Sequence, residues 1–503
     1  MINSNPETVS TDFDASTRLY FEPLDPESVR SVIDAETRDG ESPLPAVVAY
    51  GGQTPLNLAA PLAAGGVPLL GSDLEAIDQA EERTRFSALL DRLGIPQPEG
   101  GMAHSIEEAM TLAERIGYPV IVRPSFVIGG LAIDFCYSPD DLVRQLAAAT
   151  VVDPDRPVRI DRYLEGVEVD IDAVSDGERV LIPGLLEHIE RAGVHSGDSV
   201  GVFPPQSVSA WDQDLIVTTM ERIVLALGAK GLVNAQFIVR DDGVYLIEVN
   251  PRASRTVPFM SKVTGVPMVE LSVRIALGET LAELGWPSGL LAPPPFVAVK
   301  APAFSTAKLR GVDPSVGPGM QSTGEVIGIH TDPRVALAKA LVGAALVPPR
   351  ATAAGALALL SIAERDKAEL PRLGAALTTA GYRLAATSGT RTALAAAGYE
   401  AAPVAKLGAE PDASIGEASI LDLIASGHVR LVVNTPTPRS GAVRDAAEIR
   451  HAATAEGILC LTAVETAVAA AEALDPAVLD GLSDVRPLGE WVVAGRVPEV
   501  VTA

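Results

Sequence analysis

The chain is short of cysteine, aromatic surface and positive charge, and each shortage removes a class of protein. Two cysteines in 503 residues, Cys136 and Cys460, are too few and too far apart for a disulfide framework or a redox pair. Aromatics make up only 4%, so its alanine-rich helices are expected to pack through small side chains. No apolar run of about twenty residues is free of charge, which argues against a membrane-spanning helix. The start, MINSNPE, has no basic segment followed by a hydrophobic one, so a cytoplasmic protein with no membrane partner is expected. With 39 basic residues against 65 acidic ones the formal charge is −26, whereas a nucleic-acid surface needs clustered Lys and Arg. No nucleic-acid partner is expected, and the excess reads as surface charge for solubility. What the chain does have is length and a 47% hydrophobic content, enough for several domains with large cores.

The most informative stretch is VNAQFIVRDDGVYLIEVNPRASR, residues 233 to 255. Glu248 and Asn250 alternate along one strand and share a face, and the DDG turn at Asp241 to Gly243 folds Gln236 in beside them. Gln236, Glu248 and Asn250 make a set of hard oxygen ligands suited to Mg²⁺ bridging nucleotide phosphates, with Arg252 and Arg255 placed for a phosphoryl acceptor or developing charge. A solvated turn at the end of the apolar run VYLIEV is the alternative. Upstream, Glu168, Asp170 and Asp172 alternate with apolar residues in VEVDIDAV and line one face of a strand, with a merely solvated sheet face as the competing reading.

In YPVIVRPSFVIGGLAI, residues 118 to 133, a β-rich run brings Arg123 to a strand end before Gly129 and Gly130. Glycines let backbone amides approach phosphate and arginine adds a cationic fork, although a GG pair alone is more often an ordinary hairpin turn. The segment is neither a Walker loop nor a GxGxxG turn. His188 and His195 lie in the polar segment GLLEHIERAGVHSGDSVGVFPP, without the further His or Cys that zinc requires. Nucleotide or substrate contact, gating and structural hydrogen bonding all remain open for them.

NSNPETVSTDFD, RLYFEP, YGGQTPLNLA, VRPSFVIGG, EHIERAGVHSGDS and IEVNPRASRTVPFMSK resemble the carboxyl-terminal half of the large chain of carbamoyl phosphate synthetase, and the likeness runs over essentially the whole chain. The resemblance implies an α/β protein with a truncated pre-ATP-grasp domain, an ATP-grasp domain that phosphorylates carbamate with ATP, and a carboxyl-terminal parallel-sheet, methylglyoxal-synthase-like regulatory domain. Carried over, it gives Gln236, Glu248 and Asn250 to Mg²⁺ or Mn²⁺ and Arg123 to nucleotide phosphate. Glu168 falls to ribose, while Arg162, Leu164 and His195 approach the nucleotide. Arg252 and Arg255 become acceptor-side arginines, and Lys367, Thr387 and Thr390 phosphate contacts of a nucleotide effector. It also implies an amino-terminal synthetase half and a glutaminase small chain as partners, a place in arginine and pyrimidine biosynthesis, and sensing rather than methylglyoxal synthase activity. Homo-oligomerisation is left open.

Along the chain, residues 1–90 are expected to form a partial pre-ATP-grasp α/β domain with strands at AVVAY and VPLLG. Residues 91–345 hold the ATP-grasp domain with its following segments, interrupted by loop signals at DPDRP and LAPPPF. Residues 346–503 form the regulatory domain, where GALALLSIAE, YRLAATSGT and VRLVVNTP alternate with helices and predict a parallel sheet. TSGT at 387 to 390 sits at a strand end suited to phosphate, whereas Arg439 and Arg450 read equally well as surface charge.

Three departures from the resembled pattern matter. The glycine-rich strand and loop that precede the segment starting at Met1, and the half that makes carbamate, have no counterpart here, so a partner chain or a fragment is expected. Ala301 replaces one of three carboxylates used for ornithine, the others mapping to Glu190 and Asp198, which weakens the expectation of ornithine activation. Leu131 replaces a polar residue after the glycine pair. The competing functions are another ATP-grasp carboxylate–amine ligase, a biotin-carboxylase-like enzyme, and a non-catalytic regulatory fragment.

Overall fold

A computed structural model describes residues 1–38, 40–124, 134–148, 157–305, 313–351, 355–435 and 442–492. Gly129, Gly130, Leu131, Arg439 and most of the DPDRP loop lie outside them. A small antiparallel sheet combines β1 (Gly100–Ala103), β2 (Val120–Pro124), β3 (Asp134–Cys136) and β4 (Val158–Arg162) in the order β1-β4-β2-β3. Helix Ile106–Ile116 starts where the Ser105 hydroxyl accepts from Glu108 N at 3.1 Å and the Glu108 carboxylate reaches back to His104 N at 2.8 Å. Its Ala109, Leu112, Ala113 and Ile116 recur at helical spacing and join Leu142 and Leu146 of helix Pro139–Ala148 over Val120, Val122 and Ile160. The small sheet therefore has a core of its own.

The nine-stranded sheet adds β5 (Val167–Ser175), β6 (Val180–Ile182), β7 (Leu185–Arg191), β8 (Gly201–Phe203), β9 (Gly231–Arg240), β10 (Gly243–Asn250), β11 (Gly289–Leu290), β12 (Val297–Ala303) and β13 (Gly324–His330). Its main path runs β10-β9-β5-β7-β8-β12-β13, so the segment after LAPPPF returns to the sheet. Period-two alternation sorts its two faces. Val169, Ile171 and Ala173 of β5 and Val233, Ala235 and Phe237 of β9 bury against helix Ala210–Leu227, which leaves Glu168, Asp170, Asp172, Asn234 and Gln236 on the opposite face. On β10 the register shifts between Leu246 and Glu248, a bulge that keeps Leu246 and Val249 in the core and still pairs Glu248 with Gln236.

The third sheet is entirely parallel, with β14 (Leu357–Ser361), β15 (Arg383–Thr387), β16 (Ala401–Ala405), β17 (Ala418–Ser419), β18 (Val429–Asn434) and β19 (Leu459–Leu461) in the order β17-β16-β15-β14-β18-β19. Its core continues without a break into the edge of the nine-stranded sheet, through Val299 of β12, Ala336 and Ala340 of helix Pro333–Gly343, and Val464 and Val468 of helix Val464–Glu472.

The amino-terminal segment differs from the sequence expectation. The strands expected at AVVAY and VPLLG reduce to one isolated parallel bridge, Ala46 with Leu69. Pro43, Pro45 and Pro68 flank that bridge and have no N–H to extend a ladder. Helices dominate instead, including Pro26–Glu36, Leu74–Glu81 and Arg83–Leu93, the last capped by Glu82, whose carboxylate accepts from Thr84 N at 2.9 Å and Arg85 N at 2.8 Å. Among the described residues no helix is long and apolar enough to cross a membrane.

Among the described residues, the closest backbone approach that the fold demands is at Gly328, where a Cβ would stand 2.2 Å from Ala336 O and 2.5 Å from Ala340 N. Neither atom can move without displacing helix Pro333–Gly343. Gly328→Ala is expected to cost roughly 1–3 kcal/mol. Gly489→Ala, where a Cβ meets nothing within 4 Å, is expected to be near neutral. Urea unfolding of both variants checks this.

Candidate active site

The site grows from the polar face of β5, β9 and β10. Gln236 stands opposite both Glu248 and Asp170, and Asn234 opposite both Asn250 and Asp172. Asn250 Nδ2 donates to Glu248 Oε1 at 3.0 Å, and Arg252 Nη2 donates to Asn250 Oδ1 at 3.3 Å. Asp172 accepts from Asn234 Nδ2 at 3.1 Å, from Ser254 Oγ at 2.7 Å and from the Thr256 hydroxyl, so it pins the NPRASRT corner that carries Arg252 and Arg255. Burial pushes Asp172 up to about 6 against the pull of those hydroxyls. The solvated-face alternative for β5 does not hold, because Glu168, Asp170 and Asp172 are only 7%, 2% and 2% exposed.

A cavity of about 260 Å³ opens between this face and the small sheet. Arg123, Arg162, Leu164, Glu168, His195, Gln236 and Glu248, all singled out from sequence, line it, whereas Asn250 lies one hydrogen bond and Arg252 two beyond Glu248, and Arg255 stays exposed. Sequence reasoning missed Arg83, Arg159 and Asp161 in the lining. Arg159 pairs with Asp161 at 2.8 Å inside β4, and Arg83 reaches Glu248 at 3.8 Å from the first turn of a helix far away in sequence. Four arginines against three carboxylates make this wall locally cationic in a chain of charge −26.

Burial opposes ionisation of Glu248, but Arg83 and Arg123, with Asn250 and Arg252, outweigh it and hold the carboxyl below its ordinary range. Arg123 is pulled the other way, lowered by burial and then by Arg83, and its buried Nε has no hydrogen-bond partner among the described residues. An unsatisfied guanidinium nitrogen facing a cavity calls for an anion. Among the described residues no group of three or more His, Cys, Asp and Glu side chains is arranged to hold a metal ion. The Gln236, Glu248 and Asn250 oxygens, with a single carboxylate between them, instead fit an ion such as Mg²⁺ that keeps waters and phosphate oxygens in its shell.

His188 is a buried hydrogen-bonding residue, with Nε2 3.2 Å from Asp170 and Nδ1 3.7 Å from Glu168. His195 lines the cavity, and its Nδ1 accepts from Gly197 N at 3.0 Å, which leaves the proton of the neutral ring on Nε2. Burial lowers its pKa and favours that neutral form. Glu190 accepts from Val200 N at 2.8 Å and Thr466 Oγ1 at 2.5 Å, and Asp198 from Gln321 N and Ser322 N, both at 2.8 Å. Both carboxylates are thus occupied by the protein. Lys300, which carries no sequence signal, is fully buried and donates to Ser196 O at 2.7 Å.

The segment from Asp313 to Thr323 straps this site to the parallel sheet. His195 N donates to Gly317 O at 2.7 Å and Pro318 lines the cavity, while Val316 N donates to Thr462 Oγ1 at 3.0 Å. Arg450, far from being surface charge, is 4% exposed and forks onto Asp313 with two bonds of 2.6 Å. On the parallel sheet, Thr387 ends β15 and Thr390 is buried one turn into helix Ser388–Ala396. The Lys367 ammonium lies 3.3 Å from where a Cβ on Gly389 would stand, so Lys367, Thr387 and Thr390 converge at that helix start. Lys367 is meanwhile paired with Glu364 at 2.5 Å.

Burial lifts Glu168 to about 7, with His188 opposing. Between about pH 4.5 and 7 the folded protein then holds a proton that the unfolded chain releases, so stability should fall as pH rises through that window, by up to about 3 kcal/mol. Glu168→Gln is expected to flatten the fall, as read from unfolding midpoints at pH 5 and 7.5; an unchanged slope would place the titration elsewhere.

Three family models match the chain. They are the carbamoyl phosphate synthase pre-ATP-grasp domain over residues 1–79, the carbamoyl-phosphate synthase L chain ATP binding domain over 82–284, and the MGS-like domain over 369–462. The carbamoyl phosphate synthase large chain of Thermomicrobium roseum is 50% identical over 476 residues, which are 94% of this chain and 43% of that relative. The chain thus spans less than half the length of the curated relative it matches. The biotin carboxylase domain of the Hydrogenobacter thermophilus 2-oxoglutarate carboxylase, solved with MgADP, ADP and bicarbonate, superposes with a TM-score of 0.52 at 19% identity over 68% of this chain and 83% of that one. Campylobacter jejuni biotin carboxylase in complex with β,γ-ATP gives a TM-score of 0.50 at 17% identity over 63% of this chain and 78% of that one. At such identities these structures establish the ATP-grasp fold alone. With the family models and the half-identical relative in register along it, the chain belongs to the carbamoyl phosphate synthase large-chain family, as a homologue of its carboxyl-terminal half.

Proposed function

We propose that this chain phosphorylates carbamate with ATP to give carbamoyl phosphate, as the carboxyl-terminal part of a synthase large chain. The observation that carries the reading is Glu248, a half-buried carboxylate 3.8 Å from Arg83 and beside Arg123, whose Nε has no hydrogen-bond partner among the described residues. Arg123 takes the nucleotide phosphates, Glu168 the ribose hydroxyls, and Arg162, Leu164 and His195 border the nucleotide. Gln236, Glu248 and Asn250 hold Mg²⁺ or Mn²⁺, which when bound neutralises charge on the phosphates. Arg252, tied to Asn250, and Arg255 face the acceptor.

Phosphoryl transfer asks the protein for alignment and charge neutralisation rather than covalent chemistry. The bond broken joins the γ-phosphorus to its bridging oxygen and the bond formed joins that phosphorus to a carbamate oxygen, so no proton need move at the transferred group. Carbamate hydrolyses in water, which makes the cover of the small sheet part of the chemistry. Carbamate must come from elsewhere, and an amino-terminal synthetase half with a glutaminase chain is the source proposed, feeding arginine and pyrimidine biosynthesis. Lys367, Thr387 and Thr390 form the phosphate end of a nucleotide effector site. The biotin-carboxylase-like alternative shares only the fold, and the non-catalytic alternative leaves the charge pattern around Glu248 without a purpose.

The reverse partial reaction tests this, because it needs no carbamate supply. Purified chain given carbamoyl phosphate and MgADP should form ATP, and Glu248→Gln should lower the turnover by roughly 10²-fold or more, as loss of a transition-state charge contact does. A folded chain that binds MgADP yet makes no ATP would contradict the proposal.

A further inference from the structure

Three consecutive residues of the short 3-10 helix Glu364–Glu369 reach three different parts of the molecule. Arg365 crosses to the small sheet, where its Nη1 donates to the Tyr137 hydroxyl and its guanidinium carbon lies 5.9 Å from the ring centroid. Tyr137 follows directly on β3. Asp366, buried, turns to the nine-stranded sheet, with its carboxylate 3.7 Å from Arg191 Nη1 at the end of β7. Arg191 in turn pairs with Glu465 at 2.8 Å and Glu165 at 2.9 Å. Lys367 points back into the parallel sheet, over Gly389 at the start of helix Ser388–Ala396.

Among the described residues the small sheet's core is separate from the others, so contacts at its rim bear on its tilt over the cavity. One is Phe135 packed edge-on against Tyr163 with ring centroids 5.1 Å apart, in a position fixed by the Tyr163 hydroxyl donating to Ala192 O at 2.7 Å. Arg365 on Tyr137 is another, and it bridges a gap rather than a packed interface, because a cavity of about 710 Å³ lies between the small sheet and the parallel sheet there. Arg123 and Arg162, which grip the nucleotide in the reading above, sit on β2 and β4 of this same small sheet.

We propose that the Glu364–Glu369 turn couples the effector pocket to the nucleotide cavity, with Arg365 as the positioning residue that sets the tilt of the small sheet through Tyr137. This rests on the effector role proposed for Lys367. An anion arriving at Gly389 competes with Glu364 for the Lys367 ammonium. A turn this short cannot absorb a displacement of Lys367 without carrying Arg365 along, while Asp366, held by Arg191, acts as the fulcrum. Arg191 precedes Ala192 and Gly193, which line the nucleotide cavity, so the fulcrum is itself anchored to that site.

The test is calorimetric titration of MgADP into the full chain as wild type, Arg365→Gln, Tyr137→Phe and the double variant. Each titration is repeated with inorganic phosphate and with the common nucleoside 5′-monophosphates. Arg365 and Tyr137 are partly exposed, so each single change is expected to shift the MgADP dissociation constant about two- to five-fold, with the double variant no further displaced than either single one. The factor by which a bound anion alters MgADP affinity should fall toward one in the variants, while the affinity for the anion itself measured without ADP is retained. Additive effects, or a coupling factor unchanged in Arg365→Gln, would overturn the proposal. If wild type binds no anion, the effector role fails and the coupling with it, but the MgADP arm still decides whether Arg365 positions the small sheet. Absence of MgADP binding altogether would instead defeat the proposed function.

Discussion

The ionised state of Glu248 is the constraint around which the site is built. Burial in this position pushes the carboxyl toward its protonated form, and a neutral acid is a poor ligand for a hard cation. Arg83 and Arg123 prevent that, and they come from different pieces of the molecule, one from the helix that follows the amino-terminal segment and the other from the small sheet. Charge balance at one oxygen pair thus requires the helix, the small sheet and the nine-stranded sheet to meet at a single place. Their positive charge also exceeds what Glu248 needs, and the surplus, concentrated on Arg123, is where an anionic ligand completes the balance.

The polar face that carries Glu248 is sorted by function along its length. Asp172 is spent on structure, holding the corner that bears Arg252 and Arg255. Asp170 and His188 share one hydrogen bond in the interior, and Glu168 is left at the cavity wall. Two routes lead from here to the parallel sheet, the strap that Arg450 grips at Asp313 and the turn that carries Arg365. Both approach the cavity from the side of the parallel sheet, one through Pro318 in the cavity lining and the other through Tyr137 at the end of the small sheet's β3.

Much of this was legible in the sequence, for physical reasons that differ by element. Period-two alternation in VEVDIDAV and VNAQFIV placed carboxylates and amides on one face, because a strand with one apolar and one polar side has only one way to bury itself. The alternating strands and helices of the carboxyl-terminal MGS-like domain announced a parallel sheet. The bulge after Leu246 left no mark, since VYLIEVN scans as an unbroken strand. Arg83 was unreadable because its contact with Glu248 spans 165 positions, Arg159 and Asp161 because a charge pair within one strand looks like an ordinary solvated face until the cavity beside it is known, and Lys300 because a lysine in an apolar strand looks like an edge residue until its burial is known. The strands foreseen at AVVAY and VPLLG failed where flanking prolines remove ladder donors. Arg450 read equally well as surface charge because its partner, Asp313, lies 137 positions away.

The most direct measurement is the magnesium dependence of ADP binding, by calorimetry on the wild-type chain and on Glu248→Gln, each with and without Mg²⁺. If Glu248 is an arginine-stabilised metal ligand, Mg²⁺ should tighten ADP binding to the wild type and lose most of that effect in the variant, while metal-free ADP binds the variant at least as well, since Arg83 and Arg123 are then released to the phosphates. An equal enhancement by Mg²⁺ in both proteins would contradict it, and Glu248 would then serve only to hold the arginines in place.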